Sequence, residues 1–368
     1  MSLLLMTPGP TRVPDRVLAA GATPMIHHRT GEFSCLLSST IARLRPLFGT
    51  AGDVLPVHAT GRGSLEAAVT NLLSAGDEVI ACCNGLFGEM WAGIAEQFGV
   101  VVRRLCCDWD ASADPMQIAA ALESYTHARA VLLAHSDTST GGLNNVAAIA
   151  SAARHSGALV MVDAVSSLGG TPFHFDDWDV DVAVTASQKC LMSSPGLSFI
   201  AMSGRAWKAR EKARLPRSYF DLEAIRRALA RGKPETPGTT PVHLMAQVNT
   251  ALAMIEEEGA ENVYKRHQEM AGLVRERIKK LGMMLQCPGL RKYSPTLTAI
   301  TGPAGIAPQA IRERMKSRGI LTARGLGRYE PSSFRIGHMG DIRPEDVRRT
   351  LNLLEEVVSE LREVANDR

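Results

Sequence analysis

Between residues 54 and 202 the chain alternates short apolar runs with segments of helix length. Seven runs stand out, at 54–57, 78–82, 100–105, 128–133, 158–162, 180–184 and 197–202. They are mostly continuous rather than alternating apolar with polar, which is the pattern of strands buried on both faces. Between them, 64–73 reads as a helix with Ser64 as its N-cap, and 115–125 and 146–154 show apolar residues at helical spacing. Strands of this kind interleaved with helices predict an α/β domain on a mostly parallel sheet covered on both faces. Ligands of such sheets bind at the carboxyl ends of the strands. The residues just beyond each run are therefore the ones to read for chemistry.

The pattern changes after about residue 203. Long helical periods run over 242–258 and 262–281, short strand candidates follow at 296–300 and 334–336, and an amphipathic helix closes the chain at 344–364. This predicts a smaller α/β domain at 241–368 after a larger one at 15–240, a division that suits a 368-residue chain. The first fourteen residues contain Thr7-Pro8-Gly9-Pro10-Thr11, an extended or turn segment that is expected to cross back and pack on the small domain.

Composition narrows the class. Hydrophobic residues make up 45% and charged residues 21%, with a net charge of +3. No lysine/arginine run is long enough for a nucleic-acid or anionic-membrane patch, and Arg226, Arg227, Arg231 and Lys233, close to Glu223, read as a solvated face. No apolar run approaches the roughly 18 residues of a membrane span, and the start of the chain lacks the basic and apolar regions of a secretory signal. The seven cysteines include the adjacent pairs Cys82-Cys83 and Cys106-Cys107 but no CxxC or metal-ligand spacing. The expectation is a reduced, cytoplasmic protein without a metal site, most of its cysteines serving as small core residues.

Several segments carry candidate chemistry. Asp163 closes the apolar strand 158–162, and Lys189 follows the strand 180–184 in the turn Thr185-Ala186-Ser187-Gln188-Lys189. Both fall at the same crevice. A lysine there can form a Schiff base if desolvation and nearby cations lower its pKa, and an aspartate can keep a pyridine nitrogen protonated. Each has a plainer reading, as a solvated lysine and as a helix cap or ion-pair partner. Thr60-Gly61-Arg62-Gly63-Ser64 lies between a strand and a helix, where backbone amides can cradle an anion. Glu66 breaks the dinucleotide pattern and the Walker pattern is absent. Phe87 follows the strand ending at Cys82-Cys83 and could stack on a planar ligand or anchor the helix. The polar run from His135 to Gly141 suits hydrogen bonds to a polar ligand edge or a hydroxyl-rich loop. Arg335 stands alone in an apolar strand, where a guanidinium can grip a carboxylate or form a structural ion pair.

Taken together these segments resemble the class V aminotransferases, and within them the alanine–glyoxylate, serine–glyoxylate and serine–pyruvate enzymes. The likeness runs from Thr7-Pro8-Gly9-Pro10-Thr11 through His28-Arg29 to Arg335-Ile336-Gly337-His338-Met339-Gly340. It is most specific at Val162-Asp163-Ala164-Val165-Ser166-Ser167-Leu168-Gly169-Gly170, Ser187-Gln188-Lys189 and Pro195-Gly196. The resemblance implies a fold-type I pyridoxal-phosphate (PLP) transferase with a mostly parallel seven-stranded sheet. It implies Lys189 as the Schiff-base lysine and proton shuttle, and Asp163 as the partner of the pyridinium nitrogen. Thr60, Gly61 and Arg62 would bind phosphate with Gln188 nearby, Phe87 would stack on the ring, and Thr138 would sit by the ring oxygen. Arg335 would bind the substrate carboxylate. Thr239 and Thr240 would reach the phosphate of a neighbouring subunit, which implies a homodimer with shared sites.

Departures from the family pattern bear on the substrate. Phe87 replaces a frequent tryptophan, Arg62 a smaller or imidazole side chain, Thr236 a tyrosine, and Ser136-Asp137 the usual Gly-Glu. The expected reaction passes the amino group of alanine or serine to glyoxylate or pyruvate, because no second arginine is evident for a side-chain carboxylate. The alternatives are a class V transaminase for 2-aminoethylphosphonate or pyridoxamine, and, further off, a cysteine desulfurase or lyase. Gln188 stands where desulfurases carry histidine, and Cys287 lacks a glycine/serine-rich loop. A non-enzymatic protein of the same fold is the third alternative.

Overall fold

A computed structural model describes residues 3–105 and 108–366, so Cys106 and Cys107 lie outside the described residues. The strands are β1 (Leu4–Met6), β2 (Asp53–Val57), β3 (Glu78–Cys82), β4 (Val101–Leu105), β5 (Ala128–Ala134), β6 (Ser136–Asp137), β7 (Gly142–Leu143), β8 (Leu159–Asp163), β9 (Val182–Ala186), β10 (Ser198–Met202), β11 (Met284–Leu285), β12 (Leu297–Thr301), β13 (Ile320–Arg324) and β14 (Ser333–Gly337).

Seven of them form one sheet in the order β2-β10-β9-β8-β5-β3-β4. Every pairing in it is parallel except those of β10, which runs antiparallel to both β2 and β9. Each of the seven apolar runs is a strand of this sheet, shifted by two residues or fewer at either end. The runs are apolar throughout because both faces are covered. Ile80, Val131, Leu133, Val160 and Val162 point to one face, with Phe33, Leu37 and Leu44 from helix Gly31–Phe48 and Met245, Val248 and Leu252 from helix Val242–Glu258. Their chain neighbours Val79, Ala81, Leu132 and Met161 point to the other face, with Leu65, Val69, Trp91 and Trp207. The boundary expected at 240/241 thus precedes a helix whose buried face belongs to the core of the large sheet.

The second sheet has the order β1-β13-β14-β12-β11. It is backed by helices Ala260–Lys280, Pro308–Ser317 and Pro344–Asn366 around Met270, Val274, Ile311, Phe334, Ile336, Leu351 and Leu354. β1 joins its edge parallel to β13, with Leu4 opposite Ile320 and Met6 opposite Thr322.

One local expectation is corrected. Thr60, not Ser64, takes the N-cap position, and the helix runs Gly61–Leu72. Ser64 lies inside it, and its Oγ bonds the Ser198 Oγ on β10. Both residues are of capping type, and the chain turns at the first because Gly61 packs against the next loop. A Cβ on Gly61 would meet Val165 Cγ2 at 2.7 Å.

Among the described cysteines, Cys82, Cys83, Cys190 and Cys287 are buried and Cys35 is exposed. No helix among the described residues is long and apolar enough to cross a membrane.

Phe199 on β10 is fully buried in the core beneath the helix Gly31–Phe48. Phe199→Ala is expected to lower unfolding free energy by about 3–5 kcal/mol, read as a lower midpoint with unchanged slope in urea unfolding.

Candidate active site

The carboxyl ends of β2, β3, β5, β8 and β9 open at one edge of the large sheet. Asp163 is the last residue of β8 and Lys189 lies three residues past β9, in the turn closed by the Met192 N–H donating to the Lys189 carbonyl. Asp163 is only 5% exposed. One of its oxygens accepts from the Val165 N–H at 2.9 Å, and no ion pair among the described residues neutralises it. Burial raises its pKa to about 6, with Asp137 adding repulsion and the Val165 N–H and Lys189 opposing the rise. Lys189 is partly open to the cleft, but its amine is ringed by protein and donates to the Pro8 carbonyl at 2.6 Å. Burial, helped by the Arg335 cation, lowers its pKa to about 8. A buried acid with a raised pKa thus faces a lysine with a lowered one, a pairing typical of functional sites.

Beside them, β2 leads into the helix Gly61–Leu72. Its first amides, those of Gly61 and Arg62, have no acceptor among the described residues, because the turn begins with Gly63 N–H bonding the Thr60 carbonyl. The Arg62 side chain is exposed and has no hydrogen bond or ion pair among the described residues. Gln188 is half-buried, and its Oε1 is buried without a partner. These groups form a cradle of unmatched polar atoms near Lys189.

Phe87 lies at the start of helix Leu86–Gln97, after β3. It is half-buried and outside the core clusters, which argues against a role as a helix anchor. Its N–H donates to Asp137 Oδ2 at 2.9 Å, while Asp137 Oδ1 takes the Ser139 N–H and hydroxyl. Asp137 lies in the polar run that the sequence marked, but was assigned no role of its own there. Its signal was a carboxylate inside an unbroken polar run at a strand end. Thr138, next to it, shares a 2.5 Å hydrogen bond with Ser166 Oγ, and its carbonyl accepts from Arg335 Nη1 at 3.2 Å.

Arg335 sits mid-strand on β14 and is 7% exposed. Its Nε donates to the Arg324 carbonyl at 2.8 Å, while Nη2 makes no hydrogen bond among the described residues. Its pKa falls to about 10, chiefly through burial, with Asp137 opposing the fall. No carboxylate lies within ion-pair distance among the described residues, so Arg335 is not the structural ion pair that a lone strand arginine could have been. Half of its donor fork remains available.

Thr239 and Thr240 stand apart from this cluster. Thr240 is buried and shares a 2.5 Å hydrogen bond with Thr236. Thr239 is exposed in an apolar surface groove with Met25, Ile26, His27, His28 and Leu244. Within one chain, no hydrogen bond among the described residues links either threonine to Lys189, Asp163 or Thr60.

Comparison with known proteins finds one family under differing names, and a relative from a Synechococcus species named soluble hydrogenase, small subunit, is 38% identical over 362 residues, covering 97% of this chain and 93% of its own. The family described as Aminotransferase class-V matches residues 4–344. The L-aspartate–glyoxylate aminotransferase of Paracoccus denitrificans is 35% identical over 346 residues, covering 92% of this chain and 86% of its own. The serine–glyoxylate aminotransferase of Methylorubrum extorquens is 35% identical over 349 residues, with the same shares. Among solved structures, the alanine–glyoxylate aminotransferase of a Nostoc species superposes with a TM-score of 0.92 at 30% identity, covering 97% of this chain and 96% of that one.

Proposed function

The chain belongs to the class-V aminotransferases, and from that premise we propose that it carries the amino group of alanine or serine to glyoxylate or pyruvate, with PLP held at Lys189. The family works with this cofactor, and the residues present fit it. Among the described residues, Asp163 is a buried carboxylate with no cation paired to it, Phe87 offers a ring outside the core, and the Gly61 and Arg62 amides are unmatched donors at the helix N-terminus. These features complement the ring nitrogen, the ring face and the phosphate of PLP.

When bound, PLP supplies a carbonyl carbon that takes up the amino group and a cationic ring that accepts the electrons of the Cα–H bond. The chain's residues do the rest. Lys189, with its lowered pKa, is available as the neutral amine, so it can take a proton from the substrate Cα and return it one position away. Asp163 holds the proton on the ring nitrogen. Thr60, Gly61 and Arg62 receive the phosphate at the helix N-terminus, with Gln188 beside them. Phe87 covers the ring, held in place by Asp137, and Thr138 with Ser166 offers hydroxyls at its edge. Arg335 orients the substrate through its carboxylate.

The observation that carries this reading is the convergence of Lys189, Asp163 and a half-free Arg335 at one sheet edge. A homodimer in the cytoplasm follows as part of the proposal. Thr239 is exposed and makes no hydrogen bond to Lys189, Asp163 or Thr60 among the described residues, and in such a dimer it would reach the phosphate held by the second copy.

Two measurements test the reading. The PLP-loaded protein is mixed separately with L-alanine, L-serine, L-aspartate and 2-aminoethylphosphonate, and the keto product is assayed. Keto product from alanine or serine, with added glyoxylate converted to glycine and the PLP form regenerated, supports the assignment. Product from aspartate alone, the donor named for the Paracoccus relative, or from the phosphonate alone replaces the donor. No product from any of the four overturns the reading. Second, Arg335→Gln is expected to raise the donor KM by about 30-fold or more, as for a buried guanidinium taken from a carboxylate. The Kd for PLP should change little, because Arg335 is assigned to substrate rather than cofactor.

A further inference from the structure

The segment Thr7–Thr11 lies against Lys189 and is fixed from both sides. The Thr11 N–H donates to the Gln188 carbonyl at 3.1 Å, and the Thr11 hydroxyl to the Lys189 carbonyl at 3.0 Å. On the other side, Gly337, two residues past Arg335, approaches so closely that a Cβ there would stand 2.3 Å from the Thr7 carbonyl carbon and 2.4 Å from Pro8 N. The Thr7 hydroxyl donates to the Pro10 carbonyl at 2.7 Å, closing the turn on itself. Pro8 then directs its carbonyl at the lysine amine, at 2.6 Å. Gly9 has a φ of +122°, which L side chains rarely adopt, and a Cβ on it would lie 2.6 Å from Lys189 Cδ and Cε and 2.7 Å from Nζ.

We propose that the turn Thr7–Thr11 is a seat for the free side chain of Lys189, with the Pro8 carbonyl positioning the ammonium and the bare Cα of Gly9 leaving room for the lysine to reach it. This rests on the reading of Lys189 as the working amine. A lysine that alternates between covalent and free states needs a defined place when free. Otherwise each return would require a search through its many rotamers. The Pro8 carbonyl supplies that place through the backbone, with no acid to trap the proton. The charged or titratable groups that bear on the amine are Asp163 from β8, Arg335 from β14 and its chain neighbour Cys190, and none of these supplies the hydrogen bond. Pro8 is therefore a positioning residue that acts through Lys189.

The test is the pH dependence of acetic anhydride labelling of Lys189 in the cofactor-free full-length protein, read by mass spectrometry of its peptide. In the wild type the midpoint is expected near 8. In Gly9→Ala the methyl group drives the amine off the carbonyl. The ammonium loses an acceptor, so the midpoint should fall by about 0.5–1 pH unit. Thr7→Val, which frees the turn without adding bulk beside the lysine, should shift the midpoint the same way by less, and Thr7→Ser should restore it. If Gly9→Ala does not fold, the Thr7 pair decides alone. An unchanged midpoint in folded Gly9→Ala, or Thr7→Val and Thr7→Ser both matching the wild type, overturns the seat. Borohydride reduction of the PLP-loaded wild type separates this from the underlying reading. If PLP is not fixed to Lys189, the functional reading fails. If it is fixed but the midpoints do not move, only the seat fails.

Discussion

Lys189→Ala is expected to lower transamination by about 10⁴-fold or more, while the protein stays folded and still binds PLP non-covalently. The size of the effect follows from two roles meeting in one amine. A positioned general base contributes on the order of 10²–10⁴-fold by itself, and the covalent hold on the cofactor is lost with it. The local environment is what makes the lysine usable. At its ordinary pKa of 10.5 the amine would be neutral about once in 3,000 molecules at pH 7. At about 8 the fraction is about one in ten, a gain of about 300-fold. Arginine at this position should not rescue activity, since a guanidinium stays protonated across the whole working range. The check is a single-turnover assay with alanine or serine, alongside borohydride reduction and peptide mapping. Turnover within tenfold of the wild type would place the base elsewhere.

Asp163→Asn is the second large effect, a loss of about 10²–10³-fold in turnover, the range seen when one aligned electrostatic partner is taken from a reacting charge. The substitution keeps shape and burial, and the Val165 N–H can still find an oxygen. What it removes is the negative charge that would hold the ring nitrogen protonated. A pH dependence goes with it, and its sign can be worked out. In the cofactor-free protein the carboxyl titrates at about 6, raised by burial. A cationic ring beside it favours the ionised form and draws that value down, so binding PLP and losing the proton are linked. PLP affinity should therefore be full above about pH 6 and weaken as pH falls through 6, approaching tenfold per unit. In Asp163→Asn that part of the dependence should vanish. Titrating PLP at several pH values measures it, and parallel curves for the two proteins would remove Asp163 from the ring.

The two sheets show where sequence reading succeeds and where it stops. β3, β5 and β8 were legible because strands covered on both faces must be apolar at every position, leaving a continuous run in the sequence. Asp163 was legible for the same reason, as the polar residue that first breaks its run, and Lys189 as the lysine of the turn beyond the run 180–184. The helix Gly31–Phe48 went unrecognised. Serines, Thr40 and Pro46 blur its period, and its order comes from packing on the helix Val242–Glu258, a partner two hundred residues away. β1 and β13 are short and pair across nearly the whole chain, a relation that no local pattern carries. Within the site, side chains with distinctive chemistry were visible, whereas Pro8 was not, because its contribution is a main-chain carbonyl. Thr239 was suggested only by family likeness, and among the described residues its hydroxyl makes no hydrogen bond to the site.

The pairing of β1 with β13 bears on how the enzyme is made. Leu4–Met6 leave the ribosome more than 300 residues before Ile320–Thr322, on the order of tens of seconds earlier. During that interval the large sheet can close, and Asp163 and Lys189 can take their places. The turn that receives the lysine, however, has no edge to dock on until β13 arrives. Catalytic competence is therefore gained only after β13 has been made, in a step that joins segments more than 300 residues apart. A nascent chain stalled before residue 320 would have the lysine but not Pro8 beside it.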